Sequence, residues 1–118
     1  TSDRALFIET GNGSSGANAN TSSGAYSNST WTHLAFTINR STGVGKIYVN
    51  DTSVETGTTV RTDFGDNSQF SLGALTDASY PFIGAMSSVQ VYKAILTQAQ
   101  IAQNCNAQKA RFSGATCN

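Results

Sequence analysis

Hydrophobic and polar residues alternate over residues 81–92, near the end of the chain. Val89 and Val91 fall on one face of this segment, while Ser88 and Gln90 fall on the other. A period of two residues is typical of a half-buried β-strand. The pattern therefore predicts a long core strand here, against which the other strands pack.

The period then changes from that of a strand to that of a helix. Residues 97–100 read Thr-Gln-Ala-Gln, which fits a capping box: the Thr97 hydroxyl accepts from the Gln100 amide, and the Gln100 side chain reaches back to Thr97. Ile101 and Cys105 follow one turn apart, on one face of such a helix. A short C-terminal helix is predicted.

Shorter apolar patterns predict the remaining strands. They cover residues 5–9, 31–38, 46–50 and 53–56, and a short strand at Phe70 and Leu72. The predicted core residues of these strands are Leu34, Phe36, Ile38, Ile47, Val49, Phe70 and Leu72. Residues 14–29 are nearly all Ser, Gly, Ala, Asn and Thr, which predicts a long loop or a thin edge strand. Six or seven strands and one short C-terminal helix predict an all-β fold, an antiparallel β-sandwich (jelly roll), as a single domain over residues 1–118.

Three motifs stand in a fixed order along the chain. Residues 31–36 read Trp-Thr-His-Leu-Ala-Phe, residues 46–51 read Lys-Ile-Tyr-Val-Asn-Asp, and the closing segment runs from a Phe-x-Gly at Phe82 to Ile101. Residues 70–73, Phe-Ser-Leu-Gly, match a short strand between the last two. This order resembles the later two-thirds of laminin-G-like, concanavalin-A-like jelly rolls. The family usually turns its hairpin on Asp-Gly or Asn-Gly, whereas Asn50-Asp51-Thr52 stands at that place here.

The first strands of the resembled sandwich have no counterpart before Ala5. Either they lie on another part of a longer polypeptide, or a neighbouring subunit supplies them, or the sandwich is reduced. Natural proteins pair or cover exposed strand edges. We therefore expect contact with other subunits, or with another domain, of the same assembly.

Charge and hydropathy limit the partners. Charged residues make up 12% of the chain, about half the usual ~25%, and the formal net charge is +0. Nucleic acid is not expected as a partner, because phosphate binding needs clustered Lys and Arg. No apolar run approaches the ~18 residues of a membrane span, so none is expected.

The two cysteines, Cys105 and Cys117, flank a short loop near the end of the chain. A disulfide there would stabilise the fold by roughly 3 kcal/mol and implies an oxidising compartment. The alternative is a buried Cys105 and a free terminal thiol. Five glycosylation sequons also fit an extracellular, cell-surface or virion-surface location; they begin at Asn12, Asn20, Asn28, Asn39 and Asn50.

Catalysis is not expected. Glycosidases that share this architecture use two carboxylates about 5–10 Å apart, but Glu9 and Glu55 are distant in the sequence, and neither has a second acid at alternating spacing. His33, the sole histidine, is the one candidate for a Ser-His-Asp base. Its place in a strand motif favours a packed, hydrogen-bonded residue instead. We expect no enzyme.

The resemblance implies calcium and carbohydrate as ligands. Asp63 and Asp66 lie in loops that could hold calcium through hard oxygen ligands, but the sequence lacks a dense calcium-loop pattern, which favours the alternative that they are turn formers. Tyr26 and Tyr80, with Asp77, are candidates for a glycan site, because aromatic faces stack on sugar rings. Each tyrosine could instead be a packing residue.

Two hypotheses therefore stand at the level of the sequence. In the first, the chain is a structural or decoration component of an assembly, with glycan recognition as an added property. In the second, it is a calcium-assisted, lectin-like carbohydrate-binding module.

Overall fold

The computed structural model describes residues 4–63, 72–74, 81–112 and 114–118. Within them the chain forms six strands and one helix: β1 (Phe7–Gly11), β2 (Gly16–Thr21), β3 (Leu34–Asn39), β4 (Val44–Val49), β5 (Thr52–Ser53), β6 (Glu55–Thr58) and α1 (Gln98–Lys109). The strands make two antiparallel sheets, in the orders β1-β2-β6 and β3-β4-β5. This confirms the predicted all-β class with one short C-terminal helix.

The two sheets pack closely at Gly45 of β4. A Cβ atom added there would lie 2.7 Å from Val60 Cγ1 and 3.1 Å from Ala19 Cβ. Ile47, two residues further along β4, is fully buried. Close packing between the sheets therefore depends on the small residues Gly45 and Ala19.

Strand β2 corrects the prediction for residues 14–29. It lies at the centre of its sheet and pairs with β1 on one side and β6 on the other. Ala19 and Thr21 of this strand are buried. A polar segment of small residues serves as a central strand because the opposite sheet needs the space that Ala19 leaves at Gly45.

The chain crosses from one sheet to the other at Val54. Strand β5 belongs to the second sheet and β6 to the first, and the Val54 amide still donates to the Ile47 carbonyl at 2.9 Å. The single arm predicted over residues 53–56 is therefore two short strands in different sheets.

Strand β3 is an edge strand, and its apolar residues are less buried than predicted. Phe36 and Ile47 are register partners, yet Phe36 is 48% exposed and Leu34 is also exposed. The predicted core role of these two side chains is wrong because β3 lies at the edge of its sheet, with no described strand beside its outer edge. Leu72 is exposed as well, and Phe70 lies outside the described residues.

The long core strand predicted over residues 81–92 is not formed. This segment has no strand structure, and its side chains are exposed, with Val91 at 77%. A strand needs a neighbour for its backbone N–H and C=O groups, and no described strand pairs with these residues. The prediction of a core strand is therefore wrong for the chain as folded here.

The C-terminal helix follows the prediction closely. The Gln100 amide donates to the Thr97 hydroxyl, the Thr97 amide donates to Gln100 Oε1, and Ile101 and Cys105 are buried. No helix in the described part of the chain is long and apolar enough to cross a membrane.

The disulfide between Cys105 and Cys117 is present, with a Cα–Cα distance of 5.8 Å. The tail that it holds is fixed to the β4–β5 turn, where the Asn118 amide donates to Asp51 Oδ2 at 2.7 Å. Gln98 Nε2 donates to the Asp51 carbonyl at 3.2 Å. The start of the helix and the end of the chain therefore meet at one buried aspartate.

Candidate binding site

A pocket of about 310 Å³ lies between the loop after β2, the end of β4 and the C-terminal tail. The side chains that matter most for its chemistry are Tyr26, Thr30, Trp31, Thr32, Asn50 and Thr116. None of the described lining residues is an acid, a base or a histidine. The described lining is therefore neutral, rich in hydroxyl groups, and bordered by two aromatic rings. We call it the Trp31 pocket.

Trp31 is held against the tail by a second aromatic ring. Its ring centroid lies 4.9 Å from that of Phe112, with the planes tilted by 42°. The Arg111 guanidinium lies 5.6 Å from the Phe112 centroid. Trp31 remains 37% exposed, so its indole is fixed in position but still accessible from the pocket.

Asn50 shapes the part of the pocket next to β4. Its φ of 60° places it in the left-handed region, which Asn tolerates better than most residues. Its Oδ1 accepts from the His33 amide at 3.1 Å, and its Nδ2 donates to the Thr116 hydroxyl at 2.9 Å. Asn50 thus takes the turn position that the resembled family usually gives to Asp-Gly or Asn-Gly.

Tyr26 is the one predicted ligand-binding residue that the structure describes. Its side chain is half-buried in the pocket, and its hydroxyl has no hydrogen-bond partner among the residues whose placement is described. Tyr80 and Asp77 lie outside the described residues. The structure therefore brings Tyr26 together with Trp31, which the sequence did not single out as a ligand-binding residue.

The carboxylate of Asp63, a predicted metal ligand, is hydrogen-bonded to the guanidinium of Arg61. Arg61 Nε donates to Asp63 Oδ1 and Arg61 Nη2 to Oδ2, each at 2.7 Å, and Asn12 Nδ2 donates to Oδ2 at 3.0 Å. These hydrogen bonds lower the pKa of Asp63 to about 2, and the bond from Arg61 has the largest effect. Asp66 lies outside the described residues. The part of the chain that is described holds no cluster of three or more metal-ligating side chains.

The two glutamates lie on different edge strands of the first sheet. Glu9 is in β1 and Glu55 in β6, with β2 between them, so their backbones are at least about 10 Å apart. Burial raises the pKa of Glu55. The pKa is nevertheless lower than its ordinary value, because the carboxylate accepts hydrogen bonds from its own amide, the Ser53 hydroxyl and the Ile47 amide and lies near the charge of Lys46. A carboxyl group held ionised in this way is a poor general acid.

The five sequon asparagines differ in whether their side-chain Nδ2 donates a hydrogen bond. Asn12 donates to Asp63, Asn20 to the Thr56 hydroxyl at 3.4 Å, and Asn50 to Thr116. Asn28 and Asn39 donate from Nδ2 to no described residue. The Asn39 Oδ1 instead accepts from the amides of the following turn.

Sequence reasoning missed the contribution of the tail to this pocket. Gly114 and Thr116 line it because the Cys105–Cys117 disulfide holds the end of the chain beside β4. The cysteine pair indicated that the tail is tied down, but only the fold shows where it lies.

Comparison with protein families places most of the chain in one family. A laminin G family model, described as the concanavalin A-like lectin/glucanases superfamily, matches residues 1–102. No curated protein and no solved structure matches the chain significantly.

Proposed function

Because the chain belongs to the concanavalin A-like lectin/glucanase superfamily, we propose that it is a non-catalytic module that recognises neutral carbohydrate at the Trp31 pocket. The observation that carries this proposal is the meeting of Tyr26 and Trp31 in one pocket whose described lining holds no charged side chain. The family description covers both lectins and glucanases, so the choice between binding and catalysis depends on the residues of this chain.

The pocket has the chemistry that a sugar ring requires. Pyranose faces stack on aromatic rings, and their hydroxyl groups exchange hydrogen bonds with side-chain hydroxyls and amides. Trp31 offers an accessible ring, and Tyr26 offers a hydroxyl that bonds no described residue. A volume of about 310 Å³ is at the lower end of small-molecule sites, which run from roughly 300 Å³ upward. One or two sugar units fit this size.

Binding without catalysis is favoured by the placement of the acids. Glycoside hydrolysis needs a protonated carboxylic acid beside the scissile bond. Glu55 is held ionised away from the Trp31 pocket, and the described pocket lining includes no carboxylate. The proposed activity is therefore recognition alone.

Calcium is not required for the mode of binding proposed here. The Asp63 carboxylate is bound on both oxygens by Arg61, and a cation at that point would have to displace a guanidinium. A calcium-assisted site built on Asp66 or Asp77 is the alternative, and it predicts sugar binding that a chelator removes.

A structural role in an assembly is the second candidate function. It is favoured by the exposed apolar side chains of residues 81–95 and by the edge position of β3. The disulfide fits an oxidising compartment, which supports a place outside the cell, on a cell surface or on a virion.

A glycan array of neutral and charged sugars, probed with and without a calcium chelator, tests carbohydrate recognition. We expect binding to neutral glycans that survives chelation and is lost in Tyr26→Ala. Phe7→Ala is the matched control, because Phe7 is an exposed aromatic residue on β1 that does not line the pocket. Absence of glycan binding, or binding that Tyr26→Ala leaves intact, overturns the proposal.

A further inference from the structure

Residues 81–95, which we call the apolar segment, expose large side chains along their whole length. Ile83 is 94% exposed, and Phe82, Met86, Val89 and Val91 are each about half-exposed or more. With Tyr92 and Ile95, their exposed fractions add up to about four fully exposed large side chains, on the order of 400 Å² of apolar surface. An apolar patch of ~300–600 Å² is the largest on a typical monomer and is often functional. Such a surface indicates an interaction site.

Two hydrogen bonds to described residues hold the apolar segment, one near each end. The Phe82 amide donates to the Gly73 carbonyl at 2.6 Å, and Asn104 Nδ2 donates to the Tyr92 hydroxyl at 3.2 Å. Residues 83–91 lie between these anchors without strand structure. The segment therefore lies on the surface of its own chain, and no described residue hydrogen-bonds the backbone groups of residues 83–91.

A second feature of the chain complements this segment. Strand β3 has six residues, and its outer edge pairs with no strand in the described part of the fold. Leu34 and Phe36 are exposed along that edge. Residues 87–92 have the same length and alternate in polarity, so one face would place Val89 and Val91 beside Leu34 and Phe36.

We propose that two copies of this chain form a twofold dimer by reciprocal strand addition, in which residues 87–92 of each copy pair with the β3 edge of the other. A strand added at an exposed edge satisfies the backbone groups of both partners. Because each copy carries both halves of the contact, a twofold axis closes both at once. This inference rests on the assembly role given above as the second candidate, and not on sugar binding.

Charge and the presence of both halves of the contact on one chain favour a second copy as the occupant. The net charge of +0 gives two copies no mutual repulsion, and Lys93 is the sole charged residue of the apolar segment. Each copy contributes one six-residue segment and one six-residue edge, so two equal contacts form about the twofold axis and neither half is left over.

Analytical ultracentrifugation of the full chain over a wide concentration range tests the proposal. We expect a dimer that Val91→Asp and Leu34→Lys each weaken by about tenfold or more, a change of about 1.4 kcal/mol in association free energy. Ser88→Asp is the matched control, since Ser88 lies on the other face of the added strand and should leave the dimer intact.

Mixing the two disruptive variants gives the decisive result. In a reciprocal dimer of one copy of each variant, the Val91→Asp and Leu34→Lys substitutions meet as opposite charges in one of the two contacts. The other contact keeps its original residues, so the mixture should form a heterodimer. A mixture that stays monomeric overturns strand exchange.

The outcomes also separate this inference from the assembly role. A wild-type dimer that neither variant affects overturns strand exchange and leaves assembly standing. A wild-type chain that is monomeric at every concentration overturns both.

A peptide of residues 85–95 covers the case in which a variant does not fold. Added to the wild-type dimer, it should release monomers, whereas a scrambled peptide should not. If neither peptide changes the dimer, the β3 edge is not the contact.

Discussion

Three hydrogen bonds connect His33 and Asn50. The Asn50 amide donates to the His33 carbonyl at 2.6 Å, the His33 amide donates to Asn50 Oδ1 at 3.1 Å, and His33 Nδ1 lies 3.0 Å from the Asn50 carbonyl. Because a carbonyl oxygen only accepts, Nδ1 of the ring must carry a proton. His33 therefore positions the turn beside the Trp31 pocket.

This relationship predicts that Asn50→Ala destabilises the fold by about 2 kcal/mol. The substitution removes the bonds to the His33 amide and the Thr116 hydroxyl, and it forces an alanine into the left-handed region at φ 60°. Urea unfolding measures the change. Asn50→Gly is the control, because it removes the same bonds without the backbone cost and should be about 1 kcal/mol more stable than Asn50→Ala. Equal stability of the two variants would argue against strain at this turn.

Removal of the disulfide should destabilise the chain and open the pocket. The double variant Cys105→Ser and Cys117→Ser is expected to lose about 3 kcal/mol in its free energy of unfolding, the value for closing a loop of this length. Since the tail brings Thr116 to the pocket, sugar affinity should also fall. Chemical unfolding and calorimetric titration check the two effects. A variant with unchanged sugar affinity would show that the tail is dispensable for binding.

The ion pair of Asp63 predicts a pH dependence. The hydrogen bond from Arg61, followed by that from Asn12, lowers the pKa of Asp63 to about 2 from an ordinary 3.8. A carboxyl group with a depressed pKa contributes stability that is present above pH ~4 and is lost as pH falls through about 2. Carboxyl NMR titration of the wild type and of Arg61→Gln measures this directly. An Asp63 midpoint near 3.8 in the wild type, or one that Arg61→Gln does not raise, would contradict the ion pair.

Glycosylation should be selective among the five sequons. Expressed in a glycosylating host, the chain is expected to carry glycans at Asn28 and Asn39, because their side-chain nitrogens donate to no described residue. Asn50 should remain unmodified, since its Nδ2 bonds Thr116 in the pocket. Peptide mapping by mass spectrometry reads out each site. Full occupancy at Asn50 would conflict with the pocket as described.

Local patterns along the sequence predicted the elements whose contacts are near in the chain. The capping box at Thr97 and the buried face of Ile101 and Cys105 follow from i, i+3 and i, i+4 spacing alone, and the structure confirms them. The antiparallel pairing of β3 and β4 likewise follows from two alternating runs joined by a short turn.

Elements that depend on distant contacts could not be predicted in the same way. The central place of β2 depends on the close approach of Ala19 to Gly45, which are far apart in the sequence. The apolar segment alternates like a strand, but whether Val91 is buried depends on a partner that its own sequence does not specify.

The candidate site likewise depends on contacts between residues that are distant in the sequence. Tyr26 could be singled out as an aromatic residue among small polar ones, whereas Trp31 and Thr116 join it only through the fold and the disulfide.

The most direct test of carbohydrate recognition is the fluorescence of Trp31, the only tryptophan of the chain. Titration with a neutral oligosaccharide should change its emission saturably, because the indole borders the pocket and is partly exposed. The change should disappear in Tyr26→Ala and persist in Phe7→Ala. An emission spectrum that no neutral carbohydrate alters, or a saturable change that Tyr26→Ala leaves intact, would contradict the proposed function.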